Sequence, residues 1–141
     1  MIVLDTNVLA ELMRRRPEPQ VMAWVAARPP TALFTTSVTQ AEVLYGVALL
    51  PDGKRRTDLD RAARQMFSDD FAERVLPFDS AAAEEFAAIA AARRRRGRPI
   101  AQLDAQIAAV ARSRGAGVAT RNLHDFEHCG VELFNPWEVR A

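Results

Sequence analysis

Short apolar runs, too brief for helices and separated by longer segments of helical period, constrain this chain more than any other feature. Ile2-Val3-Leu4 stops abruptly at Asp5, and Ala32-Leu33-Phe34-Thr35, Gly117-Val118-Ala119-Thr120 and Val131-Glu132-Leu133-Phe134 are further runs of strand length. Ile2 to Leu4 shows no alternation of polar and apolar positions, so it reads as a strand covered on both faces. Val75-Leu76-Pro77-Phe78 is a short strand or an extended link. Between these runs the pattern predicts helices over Asn7 to Arg14, Pro19 to about Ala27, from Thr36 or Ser37 past Tyr45, Lys54 to Ser68, Asp79 or Ser80 to the arginine block, and Gln102 to Arg112. The punctuation agrees with these limits. Pro19 suits a first helical turn, Pro51-Asp52-Gly53 is a turn, Gly97 and Pro99 end the alanine-rich helix, and Asn122 to Phe126 is a tight turn. Short strands alternating with helices predict an α/β fold: a central, mostly parallel sheet flanked by helices on both faces. No repeat or linker divides the chain, and 141 residues make a single domain over 1–141.

Composition narrows the function classes. Hydrophobic residues make up 49% and charged residues 26%, the profile of a soluble domain. No apolar run reaches the roughly 20 residues of a membrane span, so no membrane association is expected. The first residues lack a basic region ahead of the apolar ones, which argues against a signal peptide. Cys129 is the single cysteine, which excludes an intrachain disulfide and agrees with a cytoplasmic location. The net charge of +1 says little about partners. The runs Arg14-Arg15-Arg16 and Arg93-Arg94-Arg95-Arg96 are local and can attract polyanions.

Four acids stand at the ends of these elements. In open α/β sheets ligands gather at the carboxyl ends of the strands. Asp5 follows the first strand, and Asn122 and Asp125 follow the Val118 strand, so a parallel sheet puts them on one rim. Glu42 lies four residues after Val38 and three before Tyr45, on what reads as the apolar stripe Val38, Ala41, Tyr45 and Leu49. Asp104 sits in the first turn of its helix beside Leu103, which is expected to face inward with Ile107, Val110 and Ala111. Each acid also has a local use: Asp5 as a helix cap, Asp104 against the helix dipole, Asp125 in a turn, Glu42 with a buried arginine. Taken together they suit a hard cation. Converging carboxylates repel unless one lies among them, and Mg²⁺ or Mn²⁺ takes oxygen ligands. Such a centre is suited to hydrolysing phosphodiesters.

The segments Met1-Ile-Val-Leu-Asp5-Thr6-Asn7-Val8-Leu9, Ser37 to Gly46, Leu103-Asp104-Ala-Gln-Ile107-Ala and Ala119-Thr120-Arg121-Asn122-Leu-His-Asp125-Phe126 resemble, in order and spacing, the PIN-domain nucleases. The nearer resemblance is to the VapC-type toxins of type II toxin–antitoxin pairs, in their FitB-like branch, and it covers essentially the whole chain. It implies a metal-dependent endoribonuclease toxin held inactive by a small antitoxin, and a homodimer that assembles further with that partner. It carries Asp5, Glu42 and Asp104 over as an acidic triad holding Mg²⁺ or Mn²⁺. Many relatives place the fourth acid where this chain has Asn122, and here Asp125 is the available carboxylate. Thr6 and Thr120 match hydroxyl positions that orient a carboxylate or a water.

Other features carry less. Arg93 to Arg96 either complement the end of their helix or contact RNA or the antitoxin. His124, His128 and Cys129 lack the spacing of a zinc site. No phosphate-binding glycine loop follows the first strand, and no nucleophile elbow is present. Two other functions compete with the ribonuclease. One is a catalytically weak module of the same fold that binds an antitoxin and/or RNA, which Asn122 keeps open. The other is a metal phosphohydrolase of small esters, weakened by the lack of an Asp-x-Asp start.

Overall fold

The computed structural model describes residues 1–138; positions 139–141, the end of the expected domain, lie outside the described residues. Five strands build the sheet: β1 (Ile2–Leu4), β2 (Leu33–Thr36), β3 (Val75–Leu76), β4 (Gly117–Ala119) and β5 (Leu133–Phe134). Their order is β3-β2-β1-β4-β5, and every pairing is parallel. The expectation of a mostly parallel sheet is thereby sharpened to an all-parallel one. β1 lies in the middle, with Val3 between Phe34 and Val118. Successive strand residues point to opposite faces, and Val3 and Leu4 are both fully buried, one in each of two cores. That is why β1 carries no polar alternation.

The helices are α1 (Thr6–Leu12), α2 (Pro19–Ala26), α3 (Ser37–Ala48), α4 (Lys54–Gln65), α5 (Ser80–Arg95) and α6 (Gln102–Ser113). Val3 and Val118 pack with Ile89 of α5 and with Ile107 to Ala111 of α6. Leu4 packs on the other face with Val8 and Leu9 of α1 and Val21 of α2. Small alanines on both α5 and α6 let these helices lie close against each other and against the sheet. Asp5, Thr36 and Asp79 accept hydrogen bonds as N-caps of α1, α3 and α5. Gly97 ends α5 in the left-handed region, φ 75°. Its N–H reaches Arg94 O at 3.0 Å while the Arg98 N–H reaches Arg93 O at 3.0 Å, the paired bonds of a Schellman end.

Three expectations are corrected. The charged helix stops at Gln65 rather than Ser68, and Met66–Asp70 forms a π-helical turn closed by Phe71 N–H to Met66 O at 3.0 Å. The wider turn buries Met66, Phe67 and Phe71 together, which an α-helical continuation would spread around the axis. The apolar stripe of α3 was also assigned to the wrong side. Val38, Thr39 and Val47 are buried, whereas Tyr45 and Leu49 are 66% and 65% exposed. Rows four residues apart run down both sides of this helix, and the neighbouring helices and strands bury the slimmer β-branched one. Leu103 likewise faces outward and, with Tyr45, Ala41, Val38 and Glu42, lines a cleft of about 400 Å³.

Candidate active site

In an all-parallel sheet every strand ends on the same edge. Asp5 is the first residue beyond β1, Thr36 closes β2 and starts α3, and Thr120 is the first residue beyond β4. Asp5 is buried, and both its oxygens are engaged. One accepts the Thr6 N–H at 2.8 Å as the cap of α1, and the other accepts the Thr120 hydroxyl at 2.8 Å. The Thr120 oxygen in turn accepts from Asn122 N–H at 3.0 Å and from the Asn7 amide at 3.3 Å. Asn7 Oδ1 takes the Arg121 N–H at 3.3 Å. The turn after β4 is thus tied to the turn after β1.

A second chain of hydroxyls serves Glu42. The Thr6 hydroxyl donates to Glu42 Oε1 at 2.8 Å and lies 3.1 Å from the hydroxyl of Thr39. With Thr6 donating to the carboxylate, Thr39 is left to donate to Thr6. Thr39 is fully buried, one turn before Glu42 on α3. Neither Thr39 nor Asn7 stood out in the sequence. The spacing of Thr39 and Glu42 along one helical face was the available signal.

The carboxylates act on one another. Burial pushes the Asp5 carboxyl above its ordinary range, against the pull of Thr120 and Thr6, and the charges of Glu42 and Asp125 push it further. Asp104 rises from 3.8 to about 6, first through burial and then through the charges of Asp5, Asp125 and Glu42. Asp104 stands in the first turn of α6, where the helix dipole favours a carboxylate by about 0.3–1 kcal/mol. Desolvation and its acidic neighbours outweigh that preference. Arg93 is the opposing cation and does not reverse the shift.

The four acids were expected to gather around a metal. Among the described residues, however, no group of three or more His, Cys, Asp or Glu side chains is placed to hold an ion. Asp5 and Glu42 are held instead by separate hydrogen bonds from Thr120 and Thr6. The donor chemistry nonetheless fits a hard divalent cation. It offers carboxylate oxygens, and burial together with neighbouring acids already makes two of the carboxyl groups reluctant to ionise.

Asn122 and Asp125 share one exposed turn. Asn122 precedes a single 3₁₀ turn, Leu123–Phe126, and the Asp125 N–H bonds Asn122 O at 3.0 Å. Phe126, 1% exposed, anchors that turn in the core. The Asp125 charge is felt at both Asp5 and Asp104. Asp125→Ala is therefore expected to lower metal-dependent activity about tenfold or more, and Asn122→Ala by less. Side-by-side rates with saturating Mn²⁺ decide it, and the reverse order would move the fourth ligand to Asn122.

The arginine block divides. Arg94, Arg95 and Arg96 are exposed at the end of α5. The expected RNA or antitoxin contact by Arg93 is corrected: Arg93 is 5% exposed, and its guanidinium binds the backbone carbonyls of Arg98, Asp125 and Glu127. Residues four apart in the helix share a face, and the side carrying Ala82, Ile89 and Arg93 is turned to the core.

Comparison with known proteins settles the family. The PIN domain family matches residues 2–130. The chain belongs to the PIN-domain family. Its relatives within the PIN domains include the VapC ribonuclease Y4jK of Sinorhizobium fredii, 41% identical over 98% of this chain and 99% of the relative. Toxin FitB of Neisseria gonorrhoeae is 39% identical over 97% of this chain and 99% of the relative. The structure of FitAB bound to a DNA fragment superposes with a TM-score of 0.93 at 38% identity, covering 100% of this chain and 99% of that one.

Proposed function

We propose that this PIN-domain chain is the toxin of a toxin–antitoxin pair, an Mg²⁺- or Mn²⁺-dependent endoribonuclease that hydrolyses RNA phosphodiester bonds. The observation that carries the reading is the rim of the sheet. Four separate elements carry Asp5, Glu42, Asp104 and Asp125, with Glu42 and Asp125 within electrostatic reach of both Asp5 and Asp104, and Asp104 is raised to about 6. These four acids would hold the metal. The cation would supply Lewis acidity that favours hydroxide over water and offsets phosphate charge. The protein's own part is orientation. Thr120 and the Thr6 N–H fix the plane of the Asp5 carboxylate, and the Thr6 hydroxyl fixes Glu42. The open turn at Asn122 and Asp125 leaves one side of the rim accessible to a polymeric substrate.

The partners follow from the relatives. A VapC ribonuclease and a FitB toxin resemble this chain along nearly its full length, and FitB's neighbour structure is an assembly named FitAB. A small cognate antitoxin is therefore the proposed regulator, with RNA as substrate. The exposed Tyr45, Leu49 and Leu103 offer an apolar face beside Glu42 for a homodimer. No helix among the described residues is long and apolar enough to cross a membrane. A cytoplasmic location is part of the proposal, in keeping with the single, unpaired Cys129. The test is cleavage of a mixed RNA pool by purified protein. Cleavage should require Mg²⁺ or Mn²⁺, stop with EDTA and be absent on a small aryl phosphate. Metal binding without cleavage would favour the binding-module reading. Turnover of the aryl phosphate alone would favour the small-ester hydrolase.

A further inference from the structure

We propose that Arg93 is a positioning residue for the candidate metal site, tying the turn that leads into Asp104 to the loop that carries Asp125 and so setting the separation of those two carboxylates. The tie is made by one guanidinium. Its Nε donates to Arg98 O at 2.7 Å, and Nη1 donates to Asp125 O at 2.9 Å and Glu127 O at 3.0 Å. Arg98 belongs to the Schellman end of α5, whose own N–H returns to Arg93 O, so that turn is held from both sides. From there the chain enters α6 and reaches Asp104 within the first turn. The second segment holds Asp125 itself, with Phe126 buried between the two carbonyls that Arg93 binds. A rigid planar fork grips two segments at once in a way that a single ammonium cannot.

A stability role alone does not account for this choice of residue. A buried arginine is costly unless its charge is compensated, and the groups hydrogen-bonded to Arg93 are neutral carbonyls and the Cys129 thiol. What the guanidinium does join is specific: one nitrogen grips the turn before α6 through Arg98 O, and another grips the Asp125 loop through the carbonyls of Asp125 and Glu127. Both segments lead directly into candidate ligands, Asp104 and Asp125, so the length of this tie sets how far apart the two can stand.

The proposal rests on the four acids forming the metal site, and the experiment separates the two ideas. Mn²⁺ affinity is measured by titration calorimetry on wild type, Arg93→Gln and Arg93→Lys, each with Asp125 present and in an Asp125→Ala background. Melting temperatures in EDTA are recorded alongside. Arg93→Gln should weaken Mn²⁺ binding about tenfold or more, the size usual for losing a group that orients a ligand without touching the metal. Arg93→Lys should recover only part of the loss. In the Asp125→Ala background the same changes should cost less than about threefold, because the spacing no longer matters. Affinity within about twofold of wild type, with only the melting temperature lowered, overturns the proposal and leaves Arg93 a structural staple. Equal losses in both backgrounds overturn it too. If wild type binds no Mn²⁺, the metal reading falls and this inference with it. Should the variants not fold, the wild-type protein still decides: the Arg93 Nε resonance must shift on Mg²⁺ saturation, and a resonance indifferent to Mg²⁺ refutes the tie.

Discussion

Asp5→Asn is expected to reduce metal-dependent RNA cleavage at least about a hundredfold while leaving the fold intact. Asparagine keeps the shape of the side chain and one carbonyl oxygen to accept the Thr6 N–H, so the cap of α1 survives. What disappears is the charge, at the most buried of the four acids. The amide also turns an NH₂ donor toward the Thr120 hydroxyl, which now donates to Asp5 and must rotate. Groups that hold one metal act as a unit, so Asp5→Asn combined with Asp104→Asn should cost little more than either change alone. Rates with saturating Mn²⁺, with circular dichroism as the folding control, test both statements. Near wild-type cleavage by Asp5→Asn would reduce Asp5 to a helix cap.

Asp104→Asn should move stability in opposite directions with and without metal. The carboxyl of Asp104 titrates near 6 in the folded chain and near 3.8 in its unperturbed state. The folded protein therefore holds this proton more tightly. The associated stabilisation is complete below about pH 4 and is lost as pH rises through 6. At pH 7 the ionised, crowded Asp104 costs the metal-free protein of order 1–2 kcal/mol, allowing for its half-buried position and solvent screening. Asparagine carries no such cost. In EDTA at pH 7 the variant should melt a few degrees above wild type, and near pH 4 the two should coincide. Adding Mn²⁺ at about 100 times Kd should raise wild type by roughly 2.7 kcal/mol, several degrees in a domain of this size. The variant should lose most of that rise. A variant several degrees less stable in EDTA at pH 7 would make Asp104 a structural helix-end residue. A wild-type melting temperature indifferent to millimolar Mn²⁺ would dispose of the four-acid site.

The fold was largely legible because its signals are local. A strand such as Ile2–Leu4, buried on both faces, must be uniformly apolar, and capping residues such as Asp5, Thr36 and Gly97 mark helix ends by their own chemistry. What was misread depends on which side of a helix meets its neighbours. Tyr45, Leu49 and Leu103 are apolar yet exposed, and Arg93 is charged yet buried. Periodicity gives α3 and α5 several acceptable stripes, and packing alone chooses among them. Asp5, Asp104 and Asp125 could be picked out by their positions at the ends of elements, whereas Glu42, mid-way along α3, was singled out by a stripe that packing did not choose. The hydroxyl chains were harder to see: the spacing of Thr39 to Glu42 was a local hint, but the bonds themselves join residues 33 and 113 positions apart in the sequence.

The central place of β1 has a consequence for how the protein comes into being. Its neighbours on either side are strands beginning at Leu33 and at Gly117, and Asp5 takes its backbone and side-chain partners from Ala119 and Thr120. During translation the first carboxylate of the site is made more than a hundred residues before the strand and turn that support it. Until β4 and the turn after it have been made, β1 lacks one neighbour and Asp5 lacks half of its support. A nascent chain without β4 therefore cannot assemble the rim, however well its early helices have formed. Such long-range closure also slows folding. For a chain whose proposed substrate is RNA, made on a machine built largely of RNA, this ordering of events postpones the potential to cut until β4 and its turn are in place.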